Sequence, residues 1–163
     1  MSVKDEYQTL LRAIKSSNYE FNYEFERNGS RVRWLTNHIL AVLHLLEAPV
    51  VSAVIDQREV EEKGAQNVAV ELLLFTDDSV VVIRGSGGET NPAASIKFIA
   101  LSRLKSVDFR QIRAGLDGWL AEDVVLDFGD GDELQMSIPH RPTESLMPVS
   151  PHEQVVRLIQ RLK

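Results

Sequence analysis

From Pro49 onward the chain is cut into short apolar runs by turn residues, and this punctuation restricts the fold more than any other feature. Strand-like runs lie at about 50–60, 67–76, 79–84, 95–101, 106–112, 119–128 and 133–139. Between them stand Lys63-Gly64, Asp77-Asp78, the stretch GSGGETNP, Leu116-Asp117-Gly118 and Gly129-Asp130-Gly131-Asp132. Seven short strands at such spacing predict an antiparallel sandwich or a small barrel. The last hairpin shows the pattern most clearly. Val124, Leu126 and Phe128, then Leu134, Met136 and Ile138, alternate with polar residues, so each run has one apolar face. A calcium loop would need ligand oxygens where Gly129 and Gly131 stand, and glycine has none to give. The stretch therefore reads as a hairpin turn in which glycine supplies positive φ, with an adventitious divalent site as the other reading.

The chain ends on a well-signalled helix. Ser150 is a strong N-cap, Pro151 occupies the first helical position and Glu153 completes a capping box. Val155, Leu158, Ile159 and Leu162 form its apolar stripe, while Arg157, Arg161 and Lys163 gather where the helix dipole favours cations. The open end of a barrel is the economical surface for that stripe to cover.

Residues 1–48 have a different texture. Ser2 followed by Asp5 and Glu6 marks a helix start, and Val3, Tyr7, Leu10, Leu11 and Ile14 recur at helical spacing, predicting a helix over 3–16. Leu35, Ile39, Val42, Leu43 and Leu46 repeat the offsets before Pro49. With Trp34, Ala41 and Leu45 on its other faces, this second helix is apolar nearly all round and needs burial. Between the two, Tyr19, Phe21, Tyr23 and Phe25 alternate with Glu20, Asn22, Glu24 and Glu26, which predicts a strand with one aromatic face. That face either packs on the protein's own core or, together with Trp34, forms an adhesive strip for a partner chain. Asn28-Gly29 would supply a turn after it.

Composition narrows the function classes. The chain has no cysteine, which removes disulfides, thiolate catalysis and Cys-based metal or iron–sulfur sites. No apolar stretch reaches membrane-spanning length, and the N-terminus MSVKDEYQTL is charged rather than signal-like, so a cytoplasmic protein is expected. The net charge is −6. Residues 1–48 hold six basic and six acidic residues, and residues 49–163 hold twelve and eighteen, so the main body opposes generic nucleic-acid binding.

The order of seven antiparallel strands and one C-terminal amphipathic helix resembles the pleckstrin-homology superfold. Leu72 to Ile83, LLLFTDDSVVVI, resembles the second-to-third strand hairpin of bacterial PH-like and GRAM-like domains, and Phe98 to Phe109, FIALSRLKSVDF, their mid-domain segment. The resemblance covers 49–163 and leaves 1–48 as an N-terminal helical extension. It implies an α+β chain built on a seven-stranded PH-like barrel, with a binding role rather than catalysis: phosphoinositide head groups, peptides or partner proteins held at the barrel mouth or on a strand edge. Lipid-binding members carry Lys and Arg around the first hairpin loop. Here DQREVEEKGAQN opposes Arg58 and Lys63 with Asp56, Glu59, Glu61 and Glu62, a setting that repels phosphate.

Candidate chemistry is sparse. His38 and His44, six apart on a helix, are rotated by about 240° from each other and cannot share a metal. His140 and His152 flank a loop that includes Glu144, and they form the one constellation on which a small enzyme could be built. The glycine-rich RGSGGETNP lacks the Lys-Ser/Thr ending of a phosphate-binding loop and reads as a flexible connection. Arg103, Lys105, Arg110 and Arg113, opposed nearby only by Asp108, form a basic concentration. They are either solvated strand faces or a patch for an anionic membrane surface or a phosphorylated ligand. The sequence thus points to a non-enzymatic adaptor that needs no cofactor or metal and recognises a protein or peptide, with self-association through an open strand edge also open to it.

Overall fold

A computed structural model describes residues 2–27, 31–62, 64–87, 93–116, 118–138 and 146–163, without the side chains at 62, 65, 113, 115 and 118–122. The chain is α+β. Three helices, α1 (Val3–Ser17), α2 (Tyr19–Arg27) and α3 (Trp34–Leu45), precede the strands β1 (Ser52–Glu62), β2 (Ala65–Phe75), β3 (Ser79–Ser86) and β4 (Ala93–Ala100). A 3-10 turn, Leu101–Arg103, leads to β5 (Ser106–Gly115), β6 (Gly118–Asp127), β7 (Glu133–Ser137) and the C-terminal helix α4 (Pro151–Arg161). The strands pair antiparallel in sequence order as a sheet β1-β2-β3-β4 and a second sheet β5-β6-β7. Among the described residues they do not close into one barrel.

Local signals fixed most of these elements. Ser2 accepts the Asp5 N–H at 3.2 Å and Ser150 accepts the Glu153 N–H at 3.1 Å, so both expected N-caps form. Gly129, Asp130 and Gly131 all take positive φ, at 79°, 54° and 80°, and Phe128 N–H donates to Asp132 O at 2.8 Å across the turn. Asp127 Oδ1 accepts the Gly129 N–H at 2.8 Å and holds the turn from the strand side. The first hairpin is longer than its punctuation implies. Ser52↔Phe75 runs in register to Glu62↔Ala65, so most of DQREVEEKGAQN lies on two paired strands rather than in a loop. Gly85 and Ser86, read from sequence as loop, complete β3 opposite Ala94 and Ala93. Asn28-Gly29 and residues 88–92 lie outside the described residues.

The four-stranded sheet is covered on both faces. Ile55, Val70, Leu72, Leu74, Val81 and Ile83 point into one core with Leu10, Ile14, Phe21, Trp34, Leu35, Ile39 and Val42 from the three N-terminal helices. Val54, Leu73, Phe75, Val80, Val82 and Ile99 point into a second core with Val124, Leu126, Leu134 and Met136 of the smaller sheet and Val155 and Leu158 of α4. This is why LLLF and VVVI read as unbroken apolar runs: alternate residues serve different cores. The three N-terminal helices therefore pack on the chain's own sheet.

Candidate binding groove beside the second helix

The segment expected as an aromatic strand is helix α2, and the correction decides which aromatics reach solvent. In a helix, residues two apart lie about 200° apart around the axis, whereas residues four apart nearly coincide. An aromatic at every second position therefore also makes two i,i+4 pairs on opposite sides. Tyr19 and Tyr23 stack with ring centroids 6.4 Å apart, and Phe21 and Phe25 pair at 5.8 Å. Phe21 is fully buried and Phe25 packs partly buried against the same core, while Tyr19 and Tyr23 are 79% and 48% exposed. Trp34 is buried on α3. The five aromatics grouped from sequence thus share no face. The available signal was the split into two phenols and two phenyls at helical spacing, since the hydroxyl tips belong in water.

Asn18 makes the helix possible. Its Oδ1 accepts the Phe21 N–H at 2.9 Å, its carbonyl accepts the Asn22 N–H at 3.0 Å, and its own N–H closes α1 on Ile14 O at 3.2 Å. One residue caps both helices, and its amide also donates to Ile55 O of β1 at 3.4 Å, fixing the corner to the sheet.

Between the outer face of α2 and β1 lies a groove of about 730 Å³. Tyr19 and Tyr23 form one wall, and Gln57 and Glu59 of β1 the other. Arg31 Nε and Nη2 donate to the two Glu24 oxygens at 2.6 and 2.7 Å at one side of it. This bidentate pair, with Glu24 buried, holds the Arg31 guanidinium above its ordinary pKa, chiefly through the Glu24 hydrogen bond and with a further contribution from Glu59. Arg27 lies over Tyr23, its guanidinium carbon 5.4 Å from the ring centroid, and donates to the Tyr23 hydroxyl. Glu20 and Glu59 remain exposed.

The basic concentration read from sequence is more opposed than it appeared. The β6–β7 turn brings Asp132 to Arg103 at 3.0 Å and Asp130 to within 3.9 Å, and Lys97 of β4 donates to the same Asp132 carboxylate. Those two donors, Lys97 first and Arg103 second, hold Asp132 below the usual carboxylate range. Arg110 lies 3.4 Å from Asp108, and the Lys105 side chain lies against the turn beside Gly129. The Arg113 side chain lies outside the described ones. On the face of β1 opposite the groove a polar cleft of about 570 Å³ holds Arg58 and Arg84 against Asp56, Glu71 and Glu133, with Arg84 bound to Glu71 at 2.5 Å.

The histidines do not converge among the described residues. His38 sets Nδ1 2.8 Å from Trp34 O and stands edge-on to the Trp34 ring, and His44 is exposed. His152 lies in the first turn of α4, where burial pushes its pKa down. His140 and Glu144 lie outside the described residues. Among the described residues no cluster of His, Asp and Glu could hold a metal ion, and no helix is long and apolar enough to cross a membrane.

Comparison of the chain with protein-family models, with curated proteins and with solved structures finds no match in any of the three.

Proposed function

We propose that this protein is a non-enzymatic, cytoplasmic PH-like binding module that recognises a protein or peptide partner through the groove beside α2. The observation that carries the reading is the pair of stacked, solvent-facing tyrosines on a helix whose opposite face is locked into the core. Tyrosine offers a large rigid contact area at small entropic cost, and water-exposed aromatic pairs beside charged rims are what partner surfaces use. The PH-like part of the proposal is supported by the order of four strands, three strands and a terminal helix that packs between the sheets. Partner recognition fits the groove better than anion recognition fits the polar cleft, where three carboxylates face two arginines.

A photo-crosslinking residue placed at Tyr23 in the full chain tests this in cells of the native host. A discrete crosslinked partner at position 23, absent when the residue is placed at exposed Gln111 on β5, is the expected result. Equal labelling at both positions, or none at 23, would overturn the reading.

A further inference from the structure

Building on that reading, we infer that the groove takes a cationic segment, one that presents an arginine or lysine side chain to the open face of Tyr19 and the carboxylates of Glu20 and Glu59. The chain already shows this chemistry three times on one short helix. Arg27 lies over the Tyr23 ring, Arg31 is forked onto Glu24, and on the opposite side Lys15 sits 4.3 Å from the Phe25 centroid while donating to Glu26. Each of these three cations is held by a ring face or a carboxylate, as cation–π and charge-assisted bonding require.

What is left over at the groove is the same pair of elements without a cation. Tyr19 is the most exposed aromatic of the described residues, and it is not among the rings that carry a cation. Glu20 follows it on the helix and Glu59 lines the groove from β1; neither carboxylate is in an ion pair among the described residues, and Glu59 meets the Arg31 charge, itself forked onto Glu24, only at longer range. The lining carries three carboxylates and two guanidiniums, and both guanidiniums are engaged within the chain. An acidic segment would have to take Arg31 from Glu24 or Arg27 from Tyr23, whereas a basic one completes what is present. The occupant is therefore a basic peptide segment.

Fluorescence polarisation with labelled hexa-arginine, hexa-lysine and hexa-glutamate peptides against the full chain tests this at low salt, with folding of each variant checked by thermal melting. Hexa-arginine is expected to bind, more tightly than hexa-lysine, and hexa-glutamate to fail. Tyr19→Ala leaves the charge unchanged and should weaken arginine binding by about fivefold, whereas Tyr19→Phe should retain it. Glu59→Lys should weaken it further, and Glu133→Lys, which lines the polar cleft and not the groove, should have a much smaller effect. Equal losses in Glu59→Lys and Glu133→Lys with none in Tyr19→Ala would mean that only the general negative field attracts the peptide, and would overturn the inference. So would preference for hexa-glutamate. A crosslink at position 23 alongside failed arginine binding would keep the partner groove and discard only its cationic ligand.

Discussion

The two faces of the four-stranded sheet are covered in different ways. The helical cover is chiefly a steric fit, pinned to the sheet by the Asn18 side-chain bond to Ile55 O, whereas the cover made by the smaller sheet and α4 is tied down by several charges and backbone bonds. On the helical side, Trp34 lies so close to β3 that a Cβ on Gly85 would meet its ring at 2.6 Å and Ala94 Cβ at 2.9 Å. On the other side, Lys97 and Arg103 clasp Asp132, Val149 N–H donates to Val51 O at 2.9 Å, and Arg161 donates to Asp77 O. A shape-fitted interface fails when volume changes, and a tethered one when charge changes.

The sharpest way to break this comparison is to truncate neighbours that serve opposite cores. Leu72 faces the helices and Leu73 the smaller sheet, both with at most 1% exposure. Leu72→Ala and Leu73→Ala should each cost about 2–5 kcal/mol in denaturant unfolding, because each leaves a cavity. If one were tolerated, the sheet would have a single buried face. Next in size is Gly85→Ala, which forces the Trp34 ring off β3 and should cost about 1–3 kcal/mol, nearly independent of salt. A salt-sensitive loss would argue against a purely steric origin.

Acid titration separates the other cover. Asp132 has its folded pKa lowered, so the stability it adds is present above the ordinary carboxylate value near ~4 and is lost as pH falls through its lower folded value. Melting temperatures of the parent and Asp132→Asn should differ at pH 7 and converge in strong acid. His152 acts in another window. Burial lowers its folded pKa, so below about pH 6.5 the unfolded chain takes up its proton first and stability falls. His152→Gln should flatten the melting temperature between neutral pH and the carboxylate range, where Asp132→Asn does not. The smallest effect is expected at Gln154, 3% exposed, whose Oε1 meets no hydrogen-bond partner among the described residues. Gln154→Met should raise stability by up to about 1 kcal/mol in the same unfolding assay.

The groove was only half legible in the sequence, and α2 shows why. Its aromatics were singled out, but a run with period two over seven residues fits a strand face and two i,i+4 helical pairs alike, so periodicity could not choose. Asn18 as a cap and burial of Phe21 and Phe25 against α1 and the sheet chose the helix. Glu59, from the opposite wall, was counted in sequence only as part of an acidic first hairpin.

By itself the sequence determined the strands, the turn at Gly129–Gly131 and the capped terminal helix. Each of these depends on atoms within a few residues of one another: a glycine's φ, a serine's hydroxyl, an alternation of side chains. Tertiary structure alone decided that the strands part into sheets of four and three, and that α1, α2 and α3 cover the larger one. It also set Asp132 against Lys97, 35 residues away, and Arg103, 29 away. Those outcomes depend on which apolar faces are buried together and which charges then meet, and no local pattern encodes that pairing.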